Sequence, residues 1–160
     1  MTFTRLAPKT LSTSPAPTLE PEGAVLGDPL EAVAAYLKEQ MGETVNGNVL
    51  RPELPESLDP AMPTAAIVIM PAGGGKLMGA NRLPVFDPMM DILCYGPTRQ
   101  DADDIAREAE YVLREMQMVF IRGLWLYWAR IASGMMPRVE PEVLWPYTEF
   151  SVQVLATQLL

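Results

Sequence analysis

The 160-residue chain carries 20 acidic against 12 basic residues, a formal charge of −8 at pH 7, with 49% hydrophobic and 20% charged residues. That length suits one domain, the apolar fraction excludes a wholly disordered chain, and basic residues scattered as Arg107, Arg114, Arg122, Arg130 and Arg138 argue against a dedicated DNA or RNA binder. Histidine is absent and Cys94 is the single cysteine, which removes imidazole acid–base chemistry, a Cys-rich zinc site and any internal disulfide.

Proline punctuates the chain, with 16 in all. Residues 1–27 hold Pro8, Pro15, Pro17 and Pro21 among Thr, Ser, Leu and Ala, with neither helical nor strand period. They read as an extended or disordered N-terminal arm ahead of one domain over 28–160; proline lowers the entropy lost when such an arm is immobilised on a neighbouring chain. The segment Met1–Lys9 lacks the apolar core of a signal peptide. No stretch reaches the ~18 apolar residues of a membrane span. The expectation is a chain without membrane contact, made in a reducing cytoplasm.

Asp28, Pro29 and Glu31 have the spacing of an N-cap, a first helical residue and a capping box. Leu30, Val33, Ala34, Leu37 and Met41 follow as one apolar stripe, and Gly42 ends this first helix. Asn46-Gly47-Asn48 turns into a short extended piece from Val49 to Leu54. The β-branched run Ala65–Met70 is apolar on both faces and predicts a central strand. Pro71 to Pro88 contains four glycines, Gly73, Gly74, Gly75 and Gly79, with Pro84 between, and predicts a long inter-strand loop. Met89–Tyr95 is the next strand, stopped by Gly96-Pro97.

Thr98 caps a second helix, with Asp101, Asp103 and Asp104 near its positive end. Its stripe is Ala102, Ile105, Ala109, Val112, Leu113 and Met116, and Gly123 ends the pattern. Leu124–Ile131 is rich in aromatics and favours strand over helix continuation. A loop with Gly134, Pro137, Pro141 and Pro146 leads to a last strand, Thr148–Ala156, in which Phe150, Val152, Val154 and Ala156 alternate with polar neighbours. Strands adjacent in sequence predict an α+β fold: two helices on one face of a small mixed sheet.

Chemistry is harder to find. Gly73-Gly74-Gly75-Lys76 fails as a phosphate loop, because Met70 stands where a glycine is needed and Leu77 where Ser or Thr is needed. Asp101, Asp104 and Glu108 share a helix face, but a solvated first turn explains them more simply than a metal site. Asp87 and Asp91 flank Pro88 with nothing converging on them. Cys94 sits in an apolar strand with no activating base, so it reads as an inert buried thiol. No catalytic residue, metal site or cofactor is predicted. Trp125, Tyr127, Trp128, Trp145 and 11 methionines exceed what one small sheet and two helices obviously need, and are read either as simple core packing or as a face or edge buried against another subunit.

The order of these motifs resembles the tail terminator (tail completion, or head–tail joining) proteins of long-tailed bacteriophages. The residues that carry the likeness are Asp28-Pro29-Leu30; Val49–Pro55 followed by Ala61-Met62-Pro63; Ile67–Gly74; Asp91–Thr98; and Trp145-Pro146 leading into Phe150–Val152. The resemblance spans about residues 28–157. It implies a non-enzymatic virion protein, assembled in the host bacterial cytoplasm as a homo-oligomeric ring, commonly a hexamer. Such a ring caps the tail tube protein, ends tail growth and joins the tail to the head-side connector, while DNA passes through its lumen. On that reading Gly73, Gly74, Gly75, Lys76 and Arg82 reach the lumen or the tube, and Trp125, Trp128 and Trp145 meet neighbouring subunits. The 27-residue arm is longer than the family usually carries. Competing readings are a head-side stopper or adaptor, a small-ligand-binding α+β module whose Gly73–Pro88 loop closes over its ligand, and a hydrolase using Asp87, Asp91 or Asp101.

Overall fold

A computed structural model describes residues 27–50, 62–73, 77–78, 85–141 and 143–158. Helix α1 covers Pro29–Met41, and the Asp28 carboxylate accepts from the Leu30 N–H at 2.9 Å, so the cap read from sequence is the cap observed. Asp28→Ala leaves that N–H without its acceptor, and is expected to lower unfolding stability by about 1 kcal/mol in a urea titration. Two short strands follow, β1 at Val49–Leu50 and β2 at Ala66–Pro71. Then come β3 at Leu77–Met78, β4 at Val85–Phe86 and β5 at Met89–Tyr95.

Helix α2 covers Arg99–Arg114 behind the N-cap Thr98, whose hydroxyl accepts from the Asp101 N–H at 3.1 Å. Gly96 is required where the strand hands over to this helix. A Cβ there would stand 2.5 Å from the Ala102 backbone nitrogen and 2.7 Å from the Asp101 carbonyl carbon. The remaining strands are β6 at Gln117–Ile121, β7 at Leu124–Ile131, β8 at Met136–Val139 and β9 at Pro146–Gln158. The chain is an α+β protein with a mixed sheet: β1 runs parallel to β2, and the other pairings are antiparallel.

The long strand β9 organises that sheet. On one flank it pairs with β5, from Tyr147↔Tyr95 to Gln153↔Met89, and then with β4 at Ala156 and Thr157. On the other flank it pairs first with β8 and then with β7. Outside β5 lies β2 and then β1, while β6 closes the far side against β7. Alternation along β9 sends Phe150, Val152, Val154 and Ala156 into one large cluster. Ile67, Ile69, Met90, Ile92, Leu124 and Leu126 of the other strands join it, with Leu30, Leu37 and Met41 of α1 and Ile105, Ala109 and Leu113 of α2. A smaller cluster forms from Ala66, Val68, Leu93, Tyr95 and Trp145.

Four expectations are corrected. Gly123 does not end the second helix. The helix stops at Arg114, and β6 intervenes before a two-residue hairpin in which Arg122 (φ 53°) and Gly123 (φ 80°) are both left-handed, the backbone that joins right-twisted strands tightly. The stretch before Pro146 is not all loop, because β8 pairs with β9 there; Pro137 is tolerated because β8 has a single pairing partner. The Gly/Pro-rich stretch after Pro71 contains β3 and β4, which pair as Leu77↔Phe86 and Met78↔Val85 and continue the β2–β5 pairing outward. The last strand is longer than Thr148–Ala156 by two residues at each end. Residues 51–54 of the extended piece after Asn48 lie outside the described residues.

Candidate assembly surface

The two strands with a single partner on the β7/β8 side, β6 and β8, carry apolar side chains into solvent. Met118 and Phe120 of β6 are 58% and 55% exposed, and Met136 and Val139 of β8 are 46% and 53% exposed. Large apolar groups at an unpaired edge are a template for strand addition or for packing against another chain. Phe120 is not loose: its ring sits 5.1 Å from that of Trp125 on the neighbouring strand. Next along β7 the register against β9 shifts between Leu126 and Trp128, so one extra residue is accommodated at Tyr127, whose hydroxyl meets that of Thr157 at 3.2 Å. Past this bulge Trp128 is half-buried, with the Arg130 guanidinium 4.7 Å over its ring.

Of the predicted interface residues, Trp125 and Trp128 therefore share one strand beside the exposed β6 edge. Trp145 does not join them. It is 1% exposed inside the smaller cluster, edge-on to Tyr95 at 6.2 Å, and serves the core of this chain and not a subunit surface. The reason is the turn that precedes β9: the Glu140 N–H donates to the Trp145 carbonyl and the Leu144 N–H to the Glu140 carbonyl, both at 2.8 Å, which turns Trp145 in over the sheet. Gly73 is exposed with φ 78°. Gly74, Gly75, Lys76 and Arg82 lie outside the described residues, as do Met1–Leu26 of the predicted arm.

The acidic residues singled out in the sequence separate into local pairs. Asp101 accepts from the Thr98 hydroxyl, Asp104 accepts from Gln100 and Arg107, and Glu108 accepts from Thr44. Asp91 accepts from the Ser151 hydroxyl across the β5–β9 pair at 2.6 Å. Among the described residues no group of three or more acidic, Cys or His side chains is placed to hold a metal ion. Cys94 is fully buried, and burial pushes its thiol well above the usual range, which keeps it protonated. Tyr95 is likewise held neutral by burial and by donating its hydroxyl to Glu140 at 3.0 Å.

One polar junction went unnoticed in the sequence. Arg99, the first residue of α2, donates to the Tyr147 carbonyl and to the Thr148 hydroxyl, both at 3.0 Å, and to the Arg138 carbonyl. Thr148, 1% exposed, donates in turn to Asp103 at 2.5 Å. The helix start, β8 and β9 are thereby tied at one point. An isolated Arg and Thr, 49 residues apart, carry no motif that would have marked them.

No helix among the described residues is long and apolar enough to cross a membrane. The chain was compared with protein-family models and with curated proteins, and neither comparison produced a match.

Proposed function

We propose that this chain is a structural virion protein of the tail-terminator kind. Its copies form a ring, of six in the expected form, that caps the tail tube, ends tail growth and joins the tail to the head-side connector, with DNA passing through the lumen. On this reading the domain spans 28–160, with both helices layered on one face of the sheet. The observation that carries the reading is the pair of apolar free edges, Met118 and Phe120 on β6 and Met136 and Val139 on β8. Edges of this kind are normally blunted by charge in a chain that works alone, and a closed ring covers them by meeting each one with a neighbour's surface. The net charge of −8 suits a lumen that DNA slides through without sticking.

The test is the native mass by light scattering after size exclusion, with negative-stain images of the same fraction. The expected result is a ring with a central hole, broken to monomer by charge at the edge in Phe120→Glu with Met118→Glu. Particles that join heads to tails normally in the absence of this chain would overturn the assignment.

A further inference from the structure

Charge is divided unevenly between the strands and the helices. Residues 117–139, which form β6, β7 and β8, hold Arg122, Arg130 and Arg138 and no Asp or Glu. Arg138 is paired with Glu149, whereas Arg122 and Arg130 are exposed and form no ion pair among the described residues. These two stand at either end of an aromatic strip. Phe120 lies against Trp125 across β6 and β7, Trp128 lies against Leu155 of β9, and none of the four belongs to either core cluster. The Arg130 guanidinium covers the Trp128 ring, and Arg122 occupies the hairpin beyond Trp125.

The helices carry the reverse charge. Glu108 and Glu115 stand three residues before and four after Tyr111, so the three share one side of α2. That side is turned away from the buried Ile105, Ala109 and Leu113, and Tyr111 is 65% exposed. Glu108 accepts from Thr44 just past α1, and the Tyr36 hydroxyl is pushed up in pKa by burial and by the nearby charges of Glu39 and Glu115. Glu39, Glu43, Glu108 and Glu115 are exposed and form no ion pair among the described residues, while α1 brings one cation, Lys38.

The two surfaces match in span. Glu108 to Glu115 covers about 10 Å of helix axis and Trp125 to Trp128 about 10 Å of strand, with an arginine beyond each end of the strip. A two-fold axis would lay either surface on its own copy and set Glu against Glu or Arg against Arg. One surface laid on the other pairs opposite charges around an aromatic contact.

We propose that the aromatic strip is occupied by α2 of a second copy of this chain. Tyr111 packs on Phe120, Trp125 and Trp128, while Glu108 and Glu115 meet Arg122 and Arg130. The contact is head-to-tail, and it rests on the ring reading, since repeating such a contact closes a ring or runs on as a filament.

The test compares three full-length chains by light scattering after size exclusion: wild type, Arg122→Glu with Arg130→Glu, and Glu108→Arg with Glu115→Arg. The expected result is an assembled wild type and two variants that each fall to the monomer mass. An equal mixture of the two variants, in which every contact is again Glu against Arg, is expected to regain the wild-type mass. Chains that had merely misfolded would not be rescued by mixing. A wild-type assembly whose mass neither variant alters overturns the inference and leaves the ring standing. Two monomeric variants of native circular dichroism that stay monomeric when mixed overturn the pairing, and a monomeric wild type overturns the second copy as occupant. Heads and tails that join normally without this chain would instead remove the ring's role and leave the contact as measured.

Discussion

Replacing Phe150 by alanine is expected to lower the unfolding free energy by about 3–5 kcal/mol, a large part of the ~5–15 kcal/mol that holds a domain together. Phe150 has no exposed surface and stands mid-strand on β9, pairing with Ile92 across the β5 ladder. Its ring packs in the cluster that also holds residues of α1, α2, β2, β5 and β7. Strands bonded on both flanks cannot move inward to fill the void, so the cavity cost is added nearly in full to the lost transfer energy. Guanidinium unfolding followed by circular dichroism measures it: the midpoint falls while the slope with denaturant stays the same. A loss below about 1.5 kcal/mol would mean that the core collapses around the missing ring.

Gly96→Ala is the second substitution with a large expected effect. One methyl group is added, yet its position would be 2.5 Å from the Ala102 nitrogen and 2.7 Å from the Asp101 carbonyl carbon. Both atoms are backbone of the first turn of α2, so no rotamer change relieves the overlap. The helix start must shift, which strains the Thr98 cap and the Arg99 bonds to β8 and β9. Overpacking of this sort costs about 1–3 kcal/mol. In a domain of this size each kcal/mol is worth about 2–4 °C, so the Tm is expected to fall by roughly 2–12 °C in a thermal scan. An unchanged Tm would show that α2 is not seated on Gly96.

Most elements whose signals are local were legible in the sequence. Asp28 and Thr98 announced both helix starts, because a capping side chain must lie within three residues of the N–H it serves. The alternation from Phe150 to Ala156 gave the buried face of β9 directly. β6 was hidden for a physical reason: Met116 continues the spacing of α2 and is buried like it, although the helix has already ended at Arg114. Met118 within β6 and Arg122 in the reversal after it are both left-handed, and neither residue type signals that backbone. β8 was hidden by Pro137, which is compatible with an edge strand alone, a position that sequence does not reveal. Trp145 shows the same limit at the candidate surface. A tryptophan beside prolines reads as exposed until the turn at Glu140 is seen folding it over Val68 and Leu93.

The central place of β9 bears on how the chain comes to be folded. Every other strand named here precedes it in sequence, and β4, β5, β7 and β8 all take their hydrogen bonds from it. Until residues 146–158 have emerged from the ribosome, the β2–β5 and β6–β7 pairs are separate fragments, each with an open side and an uncovered apolar face. The nascent protein therefore waits with its sheet in two halves, then joins them in one late, long-range step of the kind that makes β-rich chains fold in milliseconds to seconds. During that interval the exposed halves are what a chaperone would hold, and what a neighbouring nascent chain would pair with by mistake.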